Sequence, residues 1–72
     1  MEIKTYSVIA WDHSQTMATF DRAYKTKKGA FRMMDRIKAD GSYYMANIRE
    51  NTKWTDCHIE VSTPIYKWEI AQ

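Results

Sequence analysis

Residues 3–11 alternate between two faces. Tyr6, Val8 and Ala10 fall on one side of an extended chain and Thr5, Ser7 and Ile9 on the other, in a stretch rich in β-branched and aromatic residues. The pattern predicts a strand, and apolar residues on both sides mark it as a central one. Asp12-His13-Ser14-Gln15 predicts the first turn, because these side chains can bond the local backbone. Residues 16–24 predict the hairpin partner, with Ala18, Phe20 and Tyr24 on one face. Met17, Thr19, Asp21 and Ala23 make a weaker opposite face.

At Thr26 the period changes from two to between three and four. Ala30, Met33, Met34 and Ile37 recur at helical spacing with Phe31 at the margin, which predicts a helix over 27–39. Thr26 is suited to cap its first turn, since a hydroxyl there accepts from a free backbone N–H. Asp40-Gly41 predicts its end, glycine being the residue that takes the left-handed position after a helix.

Alternation then returns. Residues 43–50 predict a strand with Tyr44, Ala46 and Ile48 facing one way and Tyr43, Met45, Asn47 and Arg49 the other. Asn51-Thr52-Lys53 predicts a turn, and 54–61 a strand with Thr55, Cys57, Ile59 and Val61 opposite Trp54, Asp56, His58 and Glu60. Ser62-Thr63-Pro64 predicts another turn, because proline cannot donate to a ladder. Residues 65–70 predict a last strand with Tyr66, Trp68 and Ile70 inward. The expected fold is α+β: one helix on a mainly antiparallel sheet of about five strands, in the order β-β-α-β-β-β. One helix cannot cover five strands, so the far sheet face is expected to be open or to meet a partner.

Composition bounds this picture. Seventy-two residues, 44% hydrophobic and 28% charged, read as one compact domain, 1–72, rather than a disordered chain. Such a chain buries roughly 60% of its unfolded surface, so stability is narrow and its aromatics matter to a small core. One cysteine, Cys57, permits no internal disulfide and fits a reducing compartment. With no apolar run near the roughly 20 residues of a membrane span and no signal peptide, the expected location is cytoplasmic.

Charge changes the picture more. The stretch 22–38, RAYKTKKGAFRMMDRIK, holds seven of the eleven basic residues and a single acid, Asp35, a local charge of +6 inside a total of +2. A division this sharp points to an anionic partner. Lys28, Arg32 and Arg36 share one helical row opposite the apolar face, Lys25 leads into it, and like charges at that spacing repel. Lys27 and Lys28 also sit at the helix end that is already positive. A helix that carries an avoidable electrostatic penalty on its exposed side is a candidate contact surface, although a basic face can also serve solubility alone. The expected partner-binding residues are Lys25, Lys27, Lys28, Arg32, Arg36 and Tyr24. Thr26, Lys27, Lys28 and Gly29 are placed to converge on an anion such as a phosphate, yet they form no Walker-type loop.

Other chemistry is thin. Cys57 and His58, read as strand neighbours on opposite faces, lack metal-ligand spacing with His13. Asp12-His13-Ser14 contains the residue types of a hydrolase triad, but three consecutive residues cannot align base, orienter and nucleophile. Neither catalysis, nor a cofactor, nor a small-molecule substrate is expected. On the open sheet face, Tyr43, Met45 and Arg49 near Trp54, His58 and Glu60 would suit base stacking, but the aromatic signatures of RNA-binding sheets are absent. Ordinary cross-strand pairing is the preferred reading there, with a protein interface next.

With the elements placed, the chain resembles the small phage-encoded inhibitors called anti-CRISPR proteins, in its length, its strand–strand–helix–strands order and its basic helix around KTKKGAFRMMDRIK. The resemblance implies a compact non-catalytic protein that binds a CRISPR effector complex and blocks recruitment of DNA or nuclease. The row of Lys25, Lys28, Arg32 and Arg36 would then meet an acidic protein surface or the DNA beside it. The two alternatives are direct, weakly sequence-specific binding of DNA or RNA by the same residues, and an assembly protein that pairs through an open sheet edge or face.

Overall fold

The computed structural model describes residues 1–13 and 18–70. Within them the elements run β1 (Glu2–Asp12), β2 (Phe20–Tyr24), α1 (Lys27–Asp40), β3 (Tyr43–Trp54) and β4 (Ile59–Glu69). The strands form one antiparallel sheet in the order β2-β1-β3-β4. Since β2 and β3 both run antiparallel to β1, they are parallel to each other with β1 between them. Parallel strands need a crossover of a dozen or more residues, and α1 supplies it.

The α+β class stands, but the sheet has four strands rather than about five. Asn51-Thr52-Lys53 continues β3 instead of turning. The Asn51 side chain donates to Ser7 Oγ at 2.7 Å and accepts from Ser62 Oγ at 2.8 Å, so its polar groups work across the sheet rather than on their own backbone. Thr52 is buried, and Lys53 pairs with Glu60 of β4 at 3.6 Å. The turn falls four residues later, at 55–58, where His58 takes the left-handed conformation at φ 56°. Cys57 and His58 are therefore turn residues, not strand neighbours. Ser62-Thr63-Pro64 likewise lies within β4. Proline is tolerated because β4 is an edge strand, and the register shifts beside it so that Ile65 stands as an extra residue between Pro64 opposite Arg49 and Tyr66 opposite Ile48.

β1 keeps its expected alternation, with Val8 and Ala10 buried toward the helix. A second register shift, at Trp11 and Asp12, sets Tyr43 opposite Asp12 and leaves Tyr44 as the extra residue. The expected facing of these tyrosines is thus exchanged: Tyr43 packs on the core, and Tyr44 meets the His13 ring at 5.9 Å. β2 is shorter than expected, 20–24 rather than 16–24. Ala18 and Thr19 precede it, while Ser14, Gln15, Thr16 and Met17 lie outside the described residues. Phe20 and Tyr24 pack on the core as expected; Ile70, expected inward, is exposed.

α1 begins and ends where its caps place it. Thr26 is extended at φ −128°, and its Oγ1 accepts from Gly29 N–H at 3.1 Å. Gly41 closes the last turn at φ +81°, a conformation that a side chain would strain. Ala30, Met34 and Ile37 are buried against Val8, Ala10, Ala46 and Ile48, making the core. Complete burial of side chains such as Met34 and Ile48 is worth about 1.5–3 kcal/mol each.

Length decides what this core leaves uncovered. Fourteen helical residues reach about 21 Å, whereas a twelve-residue strand reaches about 40 Å. The molecule is 44 Å long, so the β3–β4 hairpin and the start of β1 project beyond the helix. Ile59 and Val61 lie on the helix side of that projection and remain exposed.

Candidate basic-helix site

Of the expected site residues, Lys25 lies in the connection before α1, and Lys27, Lys28, Arg32 and Arg36 lie on the helix; all five are exposed. Lys28, Arg32 and Arg36 stand one turn apart, about 6 Å at each step, along the side away from Ala30, Met34 and Ile37. Tyr24 differs from these. It is half-buried at the end of β2 and packs against the core. A Cβ built on Gly29 would come 3.7 Å from its ring, so Tyr24 supports the helix start from beneath.

The remaining cations of the basic stretch are occupied. Arg22 stands over the Tyr24 ring at 5.7 Å. Lys38 reaches across to β4, donating to Tyr66 Oη with its ammonium 4.7 Å from the ring centre, and Phe31 packs edge-on against the same ring at 5.3 Å. Lys38 thereby ties the last helical turn to the edge strand. Arg22 and Lys38 count toward the charge of the basic stretch but are not among the expected binding residues; their aromatic partners come from β2 and β4, which no helical spacing reveals.

Ion pairs concentrate elsewhere. Those found among the described residues join the Met1 amino group to Asp56 (3.9 Å), Lys4 to Glu2 (3.7 Å) and Glu50 (3.6 Å), and Lys53 to Glu60 (3.6 Å). All lie at the projecting end of the sheet. None includes Lys25, Lys27, Lys28, Arg32 or Arg36. The first helical turn contains no acid, and Asp35 pairs with neither Arg32 nor Lys38. A cation row with no acid in ion-pair contact attracts anions more strongly than the same charges in neutral pairs.

The helix cap limits one expectation. Thr26 Oγ1 and Gly29 N–H satisfy each other, and Ala30 N–H bonds to Thr26 O at 3.2 Å. Within the expected phosphate cradle, the backbone donors left over are those of Lys27 and Lys28.

The open sheet face does not gather the aromatic and basic residues that base stacking would need. Tyr43 is turned to the helix side by the register shift, Trp54 follows Ile48 by strict alternation to that side, and His58 is in the turn. The open face carries a polar relay instead. Arg49 Nε donates to Ser62 Oγ at 2.9 Å, Ser62 donates to Asn51, and Asn51 donates to Ser7 and, at 3.5 Å, to Thr5. Beside it lies a shallow cavity of about 470 Å³ lined by Ile3, Thr5, Asn51, Lys53, Glu60 and Ser62, among others. Among the described residues no cluster of His, Cys, Asp or Glu could hold a metal ion, and no helix is long and apolar enough to cross a membrane.

No family model matches the chain, no curated protein matches its sequence and no solved structure matches its fold.

Proposed function

We propose that this chain is a non-enzymatic binding protein that docks on an acidic macromolecular surface through the exposed side of α1. Lys28, Arg32 and Arg36 form the central row, and Lys25 and Lys27 extend it at the helix start. One observation carries the reading: these five cations are solvent-exposed and lack acid partners, while the ion pairs of the described residues lie at the other end of the sheet. Inhibition of nucleic-acid machinery, such as a CRISPR effector complex, is the role this surface suits best. An exposed cation row of this size can engage an acidic patch of such a complex, or the nucleic acid beside it, without chemistry of its own. Tyr24 contributes indirectly, by holding the helix start in place and bearing Arg22.

The test is capture of partners from cell lysate by the tethered chain, with and without nuclease treatment, beside a Lys28→Glu/Arg32→Glu variant. The proposal expects a nuclease-resistant protein partner that the double reversal loses. A partner set unchanged by the reversal would overturn it. A salt titration against duplex and single-stranded DNA separates direct nucleic-acid binding. That alternative requires log K to fall with log salt at a slope of about −0.7 to −0.9 per phosphate contact, and to become shallower by about one when a key lysine is removed.

A further inference from the structure

Among the described residues no strand pairs with the outer edge of the eleven-residue β4, and its composition fits a second copy of itself. We propose that two copies of this chain pair antiparallel through β4, centred on Thr63 with Pro64 and Ile65 of one copy together opposite Ser62 of the other, to make a continuous eight-stranded sheet.

Facing is the first support. On β4, Ile59, Val61 and Thr63 oppose Trp54, Thr52 and Glu50 and so share the helix side, while Glu60, Ser62 and Pro64 share the open side. The extra residue Ile65 resets the alternation, so that Tyr66 and Trp68 return to the helix side and Lys67 and Glu69 to the open side. An unbulged foreign strand laid along this edge matches its faces on one side of Pro64 and mismatches them on the other. A second copy carries the same bulge in the reverse direction. About the proposed centre, Ile59 falls opposite Trp68, Val61 opposite Tyr66 and Glu60 opposite Lys67, each pair on one face and each occurring twice. Proline and a bulge, which blunt an edge against general pairing, thus leave it open to its own kind.

Charge and apolar surface agree with this register. Glu60 is mostly exposed and Lys67 is exposed without an ion pair of its own, so the pairing adds two opposite-charge contacts. It also places the aromatic rings of Tyr66 and Trp68 beside Val61 and Ile59, which stand 46% and 52% exposed in the single chain. Sliding by one residue sets opposite faces together. Sliding by two in one direction restores the faces but puts Glu60 opposite Glu69, and like charges directly opposite destabilise a pair. In the other direction it carries Glu60 onto the Ile65 bulge and Lys67 beyond the start of β4, so the opposite-charge contacts are lost.

Sedimentation equilibrium of the full chain over a wide concentration range tests this, with far-UV circular dichroism as the check on folding. A reversible dimer is expected, and Lys67→Glu, an exposed substitution, is expected to weaken it about tenfold through two like-charge pairs. A Cys57→Ser/Glu60→Cys/Lys67→Cys chain is expected to oxidise to a covalent dimer, because directly opposite residues stand about 5.5 Å apart at Cα, within disulfide reach. Lys28→Glu/Arg32→Glu should leave the dimer unchanged, which separates this proposal from the basic-helix reading. A chain that stays monomeric throughout, a dimer indifferent to Lys67→Glu, or a dimer that forms no Glu60→Cys to Lys67→Cys link would each overturn it.

Discussion

Val8 and Ile48 face each other beneath α1 and are wholly buried, whereas Ile59 and Val61, on the same side of the same sheet, lie beyond the helix's reach and face solvent. The electrostatics are divided along the same axis. At the covered end the cations of α1 make no ion pairs; at the projecting end Lys4 is matched to Glu2 and Glu50, and Lys53 to Glu60. One element therefore does two separable things. The inner side of α1 makes the core, and its outer side holds charge that the fold does not use. The projecting hairpin is held mainly by its ladder and its cross-strand polar contacts, and it adds little apolar burial.

Truncation of the core tests the first half of this comparison with the largest effect. Ile48→Ala and Met34→Ala are each expected to cost about 2–5 kcal/mol in urea unfolding, enough to unfold much of a small domain. Val61→Ala, at concentrations too low for self-association, should stay within about 0.5 kcal/mol. Comparable losses at the two positions would dissolve the distinction between the ends.

Removing the helix cap is the next step down. Thr26→Ala frees the Gly29 N–H and should cost about 1 kcal/mol, with Thr26→Ser close to neutral. An unchanged midpoint for the alanine variant would mean that the helix start is held by Tyr24 packing alone.

Charge reversal on the outer side should move stability the other way. Lys28→Glu places an acid at the positive end of the helix and relieves repulsion from Arg32, so a gain of about 0.3–1 kcal/mol is expected by the same unfolding assay. A clear loss would show that the row is part of the fold. The smallest effect belongs to the projecting end: Lys53→Ala breaks an exposed pair with Glu60 and should cost no more than about 0.2–1 kcal/mol, diminishing with added salt.

What the sequence disclosed is what local geometry decides. The helix was legible nearly to the residue, 27–39 against Lys27–Asp40, because its period, its Thr26 cap and its Gly41 terminator all lie within the segment itself. The faces of β1 were legible for the same reason. The misread parts depend on neighbours distant in the chain. Asn51 has the composition of a turn residue, yet its amide is satisfied by Ser7 and Ser62 on the two flanking strands. Pro64 signals a break unless the strand is known to be an edge, and strand order is not a local property. The extra residues Tyr44 and Ile65 exchange faces without leaving a mark in the hydrophobic pattern. At the candidate site, exposure of the cations followed from helical spacing. Their lack of partners depended on where Glu2, Glu50 and Glu60 came to lie in the folded chain.

The most direct measurement of the central claim is lysate capture by the Lys28→Glu/Arg32→Glu chain, once its unfolding free energy is shown to equal or exceed that of the natural sequence. Loss of a nuclease-resistant partner from a fully folded variant is the predicted result. Retention of that partner at undiminished yield would contradict the account.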